Sequence, residues 1–459
     1  PHGVSIWRPI ERPACAPRRS GDFLTKGLIM EQPLTAGQFR KALAQGLGRA
    51  KMHIEQYGSA GMEEAILDAC LTCGVFDPQC EGTRGAWLYE LIELTGDTER
   101  YRGPILAALT AATPETADCY TAMQLANLAC QYAEAGCAEA KAALYERLAN
   151  RGEGWGAIGA SEIVYLDGLD GLAHVAAAVG GESDPADWLS DCVAMEAEDR
   201  FGAVEVDAFL AERAKGDDAI RAFAQRAAEL RARRGTCPAR EPDNVTLDDY
   251  LAAVGSGGEG SAFGFRRFGL QLDEASLLGV FERLLTEARP NVALRYLQTF
   301  YWHGVPCVED RVLELAGSDD RAIQSAAIRA LSRLQDDRIH SLAARLLGQG
   351  DAAAIRLLEN NYWAGDVAMI EQVLPSEGDT DAIHSVALDI VAVAKAQKTP
   401  ELAGCLRWVY EANPCSCCRR RAVEDMIALG VAPAELLAEC LQDSDDHTRD
   451  IAREALGDT

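Results

Sequence analysis

The sequence is short of everything that marks a β-rich or membrane-spanning chain. No run of about 18 uninterrupted apolar residues occurs, so no membrane span is expected. β-Branched runs are scarce and no alternating apolar and polar pattern persists, which disfavours strands. Positive charge is also in deficit: 44 Lys and Arg face 71 Asp and Glu, for a formal charge of -27. Most of such a protein repels a phosphate backbone or an anionic membrane surface, so neither is expected as a partner. Histidine is sparse, seven in all, and none stands in an H-E-x-x-H or comparable pairing.

Cysteine is plentiful by contrast. Fifteen thiols, an odd number spread through a long chain and often on apolar faces, read as reduced core residues of a cytoplasmic protein rather than as a disulfide framework. Hydrophobic residues make up 48% and charged residues 25% of the 459, ordinary values for a folded soluble protein.

The most informative stretch is 318–347. Ile323, Ala326, Ala327, Ala330, Leu331 and Leu334 recur at helical spacing, and after Gln335-Asp336-Asp337 the series Ile339, Leu342, Ala343, Leu346 and Leu347 repeats it. Two short amphipathic helices joined by an acidic turn cannot bury both stripes alone; they must stack on similar neighbours. Helix starts near Asp320, Asp351, Asp381, Cys417 and Asp446 recur at roughly 31 residues, the period of a helical-pair repeat.

With its acidic turns (Ser318-Asp319-Asp320, Ser444-Asp445-Asp446) and small-residue helices ending Ala330-Leu331 or Ala455-Leu456, the sequence over about 290–459 resembles HEAT-like repeats, of the short type found in phycobilisome lyase-like proteins. The resemblance implies an α-solenoid whose usual work is binding other proteins, with a minority of members acting as bilin lyases or isomerases. It transfers no catalytic residue, because the motif encodes packing. Glu359 to Trp363 depart from it, standing where a compact turn is expected.

The expected fold is therefore all-α: an α-solenoid of antiparallel helix pairs, in two helical-repeat parts joined by a segment containing Gly and Pro. Residues 1–29 read as a disordered extension and 30–235 as the first helical part. Within that part, a capping box at Thr35 and Gln38 opens one helix running to about Tyr57. Residues 236–269, with Pro238, Pro242 and a glycine run, read as a linker or exposed loop, and 270–459 as the second part, closed by a half-repeat cap at 444–456.

Several constellations compete for a function. Tyr301-Trp302-His303 and Tyr362-Trp363 sit at turns, where aromatics can gather along one edge of a solenoid and anchor a partner protein; they also suit the joints between repeats. Cys415, Cys417 and Cys418 form the densest thiol cluster, yet a tetrahedral zinc site wants four ligands and no histidine is near in sequence. Cys70 and Cys73 form a CxxC whose first thiol shares an apolar face with Ile66 and Leu67. Gly154, Gly156, Gly159 and Gly255, Gly257, Gly260 have dinucleotide-loop spacing without the strand that chemistry needs. Asp167 with Asp170, and Asp77 with Glu81, are acid pairs in turn-like contexts. The expectation is a protein-binding scaffold with no catalytic activity and no cofactor, its partner another protein. A ligand-holding, lyase-like enzyme and a zinc or thiol-switch protein stand as alternatives.

Overall fold

The computed structural model describes residues 30–150, 157–181, 187–235, 246–255, 262–375 and 379–457. Among them every regular element is helical and none is a strand, so the chain is all-α. The acid excess has a local use. Asp97, Asp118, Asp273, Asp320, Asp336, Asp351, Asp379 and Asp445 each precede a helix and accept a hydrogen bond from a first-turn backbone N–H. Such a cap contributes about 1 kcal/mol. The capping box at Thr35 and Gln38 is present in both directions.

The amphipathic stripes bury as their spacing requires. Helix Arg321–Leu331 covers Ile323, Ala326, Ala327, Ile328, Ala330 and Leu331, and helix Asp337–Gly348 covers Ile339, Leu342, Ala343, Leu346 and Leu347. Each fully buried Leu or Ile contributes about 1.5–3 kcal/mol.

The chain falls into two compact units, the described residues of Pro1–Cys237 with Glu435–Thr459, and those of Pro238–Ala434. This corrects the expected second domain of 270–459, because the last two helices, Ala434–Cys440 and Asp446–Leu456, pack on the start of the first unit. The Ser444 N–H donates to the Gly46 carbonyl (2.8 Å), and the Trp87 indole N–H to the Gln442 carbonyl (2.9 Å). Arg49 Nε lies 2.6 Å from Glu439 Oε1. Gly48 is required here, since a Cβ on it would stand 2.0 Å from the Glu439 carbonyl oxygen. In the expected cap stripe only Ala452 is fully covered, while Leu456 is exposed.

Two further expectations change. The single helix to Tyr57 is two, Ala36–Gln45 and Arg49–Tyr57, because Gly46 turns left-handed (φ 72) and ends the first. Inside the expected linker 236–269, Leu247–Gly255 and Ala262–Gln271 are helices. Their Tyr250, Phe265 and Phe268 form a ring cluster with Tyr296, centroids 5.7–6.3 Å from Tyr250. The Tyr250 hydroxyl shares a 2.6 Å hydrogen bond with Thr299. Gly269 admits the close approach of the Thr299 carbonyl, which a Cβ would meet at 1.9 Å. The expected extension 1–29 lies outside the described residues.

One described helix, Ala160–Gly180, is long and apolar enough to cross a membrane by length and composition. It is broken at Gly168 (φ 62, ψ -135), and its Ile163, Val164, Leu172, Val175 and Val179 are buried in the first unit.

Candidate functional site

In the second unit four loops, 300–309, 332–336, 360–366 and 398–401, lie side by side along one edge. The Val305 N–H donates to the Ala330 carbonyl (3.2 Å), and Arg338 Nη2 to the Val308 carbonyl (3.0 Å). Asn360 Nδ2 donates to Ser332 O (2.7 Å). Asn361 accepts from the Asp336 N–H (2.9 Å) and donates to Leu334 O (2.9 Å). Glu401 accepts from the Tyr362 hydroxyl (2.7 Å) and from the Gly365 N–H (3.0 Å). The residues that break the repeat pattern at 359–363 therefore bond one loop to the next.

This edge carries all five predicted aromatic and histidine positions. The Tyr301 ring lies between two guanidinium groups, Arg266 at 4.0 Å and Arg329 at 4.5 Å from its centroid. Trp302 meets Tyr301 edge-on at 4.8 Å and is 47% exposed; His303 beside it is exposed too. Gly304 makes the turn with φ 76, and a Cβ there would stand 2.6 Å from Arg333 Cβ. Trp363 is 52% exposed on its outer side and stacks inward on His340, rings 3.6 Å apart and 13° from parallel. His340 Nε2 is 3.1 Å from the Asp366 carboxylate, which also accepts the Trp363 N–H at 2.7 Å. Trp363 is thus held from behind by a buried His–Asp pair. Tyr362 differs from the expectation in that its hydroxyl is engaged by Glu401; burial first, then that carboxylate, pushes its ionisation well above the usual tyrosine range. The hydrogen bonds from Gly365 and Tyr362 in turn hold the Glu401 carboxyl below its usual value.

Beside Trp363 a groove of about 380 Å³ is lined by Gln335, Asp336, Asp337, Asn360, Asn361, Tyr362 and Trp363. Its walls are acids, amides and aromatic rings. Behind the edge lies an ion-pair network. Glu359 pairs with Arg333 (3.0 Å) and Arg356 (3.0 Å) and accepts from the Ser332 hydroxyl (3.1 Å), and Arg356 reaches Asp389 at 3.5 Å. Burial pushes the Asp389 carboxyl up to about 7, against the opposing pull of Arg356 and Arg329. Burial likewise pushes the Arg329 guanidinium below its usual value. No sequence signal pointed to these arginines, which stand on helix Arg321–Leu331 (Arg329), in the turn after it (Arg333) and in the 3-10 segment Ala352–Glu359 (Arg356).

The thiol cluster is only partly as expected. Cys415 stands at the N-cap position of helix Ser416–Ala428 and Cys418 in its first turn, both buried, whereas Cys417 is half-exposed. The third member of the constellation is His384, whose Nδ1 is 3.7 Å from Cys418 Sγ. It comes from helix Thr380–Gln397, too far back along the chain for spacing to find it.

The remaining candidates resolve into structure. Cys70 is buried and its thiol is pushed up to about 12 by burial. Asp167 binds Lys141 and Tyr145, both at 2.5 Å, and Asp170 binds Arg213 at 2.7 Å. Asp77 caps the turn Pro78–Glu81, and Glu81 lies 3.6 Å from Arg84. Gly159 and Gly255 stand at helix ends, with no strand before either among the described residues; Gly154, Gly156, Gly257 and Gly260 lie outside them. Cys307 is exposed beside Glu309.

No family model, curated protein or solved structure matches this chain.

Proposed function

We propose that this chain is a protein-binding scaffold, an α-solenoid of HEAT-like helix pairs at least across its second unit, with no catalytic step of its own. Its binding face is the edge that carries Trp302 and Trp363. The observation that carries this reading is the pair of half-exposed tryptophans on one edge, Trp302 on loop 300–309 and Trp363 on loop 360–366, each backed by fixed groups: Tyr301 with its two arginines, and His340 on Asp366. Aromatic anchors held in place before binding lose little side-chain entropy on association, which is what makes them hot spots. Asp336 and Asp337 beside Trp363 favour a partner segment bearing Lys or Arg, which would lie across the indole face and against the carboxylates.

Affinity capture with the whole chain, followed by direct binding measurements on the recovered partner, tests the reading. Trp302→Ala with Trp363→Ala weakens that binding by on the order of 100-fold, about 2.8 kcal/mol, within the range of interface anchors. Added salt slows association, as expected for an acidic face meeting a basic segment. A partner that binds the double variant and the wild type equally overturns the assignment.

A further inference from the structure

We propose that His384, Cys415 and Cys418 form a binding site for a zinc ion, with a water completing the fourth position. The three ligand atoms, one imidazole nitrogen and two sulfurs, all lie within 4.8 Å of one another. Tetrahedral zinc with Zn–S of about 2.3 Å and Zn–N of about 2.0–2.1 Å places sulfur and nitrogen about 3.6 Å apart. His384 Nδ1 and Cys418 Sγ already stand at 3.7 Å. A thiol–imidazole hydrogen bond accounts for that one distance; the other thiol of the C-x-x-C, Cys415, brings its Sγ within 4.8 Å of both atoms.

Cys415 and Cys418 are 4% and 2% exposed and sit at the N-terminus of helix Ser416–Ala428, whose first-turn N–H groups present partial positive charge. Arg419, 1% exposed, donates to the Asn413 and Pro414 carbonyls (3.4 and 3.2 Å), and Asn413 Oδ1 accepts the Cys415 N–H (2.9 Å). That fixes the loop carrying the first sulfur and adds a buried cation beside it. Two sulfurs and an imidazole suit zinc rather than magnesium or calcium, which take oxygen ligands. Binding forms two Zn–S bonds and one Zn–N bond, and the two thiol protons pass to solvent. Nδ1 must be the unprotonated nitrogen, leaving the imidazole proton on Nε2. The ion would staple helix Thr380–Gln397 to helix Ser416–Ala428.

The test is made on the reduced full-length protein. Elemental analysis after purification is expected to find one zinc per chain, removable by a chelator. Cobalt(II) added to the stripped protein is expected to give thiolate-to-cobalt charge-transfer absorption and the intense visible bands of tetrahedral coordination, saturating at one cobalt per chain. Cys418→Ser and His384→Ala each weaken cobalt binding by more than the roughly 10- to 100-fold that outer-shell substitutions cost, while Cys417→Ser leaves it unchanged. Should a variant fail to fold, the wild-type cobalt spectrum and its reversal by zinc decide alone. A stripped protein that takes up no cobalt, or only joins Cys415 and Cys418 as a disulfide on oxidation, overturns the proposal. So does equal loss with Cys417→Ser.

Discussion

Gly48→Ala separates two arguments that carry opposite signs. Gly48 has helical dihedrals (φ -56, ψ -26), so by backbone entropy alone an alanine there stabilises by about 0.5–1 kcal/mol. Its Cβ, however, would lie 2.0 Å from the Glu439 carbonyl oxygen and 2.9 Å from the Gln442 carbonyl carbon, backbone of helix Ala434–Cys440 and of the turn that follows it. Relieving such an overlap costs about 1–3 kcal/mol. The net is a local destabilisation of roughly 1–2 kcal/mol, a factor of about 5–30 in the opening equilibrium of the seam. Hydrogen exchange reads this directly. Peptides covering 435–457 exchange faster by that factor in the variant, while helix Cys119–Glu134 of the same unit stays as protected as in the wild type. Gly37→Ala is the control: Gly37 is helical with nothing within 4 Å of the new Cβ, so that substitution is neutral or slightly stabilising. Unchanged or slower exchange at 435–457 in Gly48→Ala refutes the seating of the C-terminal helices on the first unit.

The Asp389 carboxyl, raised to about 7 in the fold against an ordinary value near 4, holds its proton when folded and loses it when unfolded between those pH values. The folded state therefore binds more protons in that window, and this group's contribution to stability falls as pH rises from about 4 to about 7. Asp389→Asn flattens that part of a urea-midpoint profile; an unaltered slope refutes the assignment. Gly304→Ala must hold φ 76 and meet Arg333 Cβ at 2.6 Å, so it costs about 2 kcal/mol or more and lowers the melting temperature of the second unit. His340→Ala removes the platform under Trp363, and the Trp363 emission shifts to longer wavelength as the indole gains water; an unshifted spectrum contradicts the stack. Tyr250→Phe leaves the Thr299 hydroxyl to its remaining bond with the Arg295 carbonyl and costs about 1 kcal/mol in urea unfolding.

Local pattern was legible wherever one face of one helix decides burial. The spacing of Ile339, Leu342, Ala343, Leu346 and Leu347 is enough, since those side chains share a stripe whatever lies opposite. Acidic residues before helix starts were readable for the same reason: a cap acts within three residues. The aromatic turns were also legible as a group, because Trp and Tyr at successive turns stand out from an Ala-rich background.

What escaped was set at long range. The glycine run after 254 read as a linker, yet Tyr250 and Phe265 bury themselves against Tyr296, a partner only the fold supplies. The last helices looked like the cap of the nearest repeats, because a stripe records that a face is covered and not which surface covers it. Cys415 and Cys418 looked short of a ligand because His384 stands on an earlier helix. By itself the sequence determined that the chain is helical, where most helices begin, and which faces turn inward, all of which depend on neighbours within about four residues. The tertiary structure alone decided which stripe meets which, that residues 435–457 close onto the first unit, and which histidine meets the thiols, since those contacts join residues far apart along the chain and carry no local periodicity.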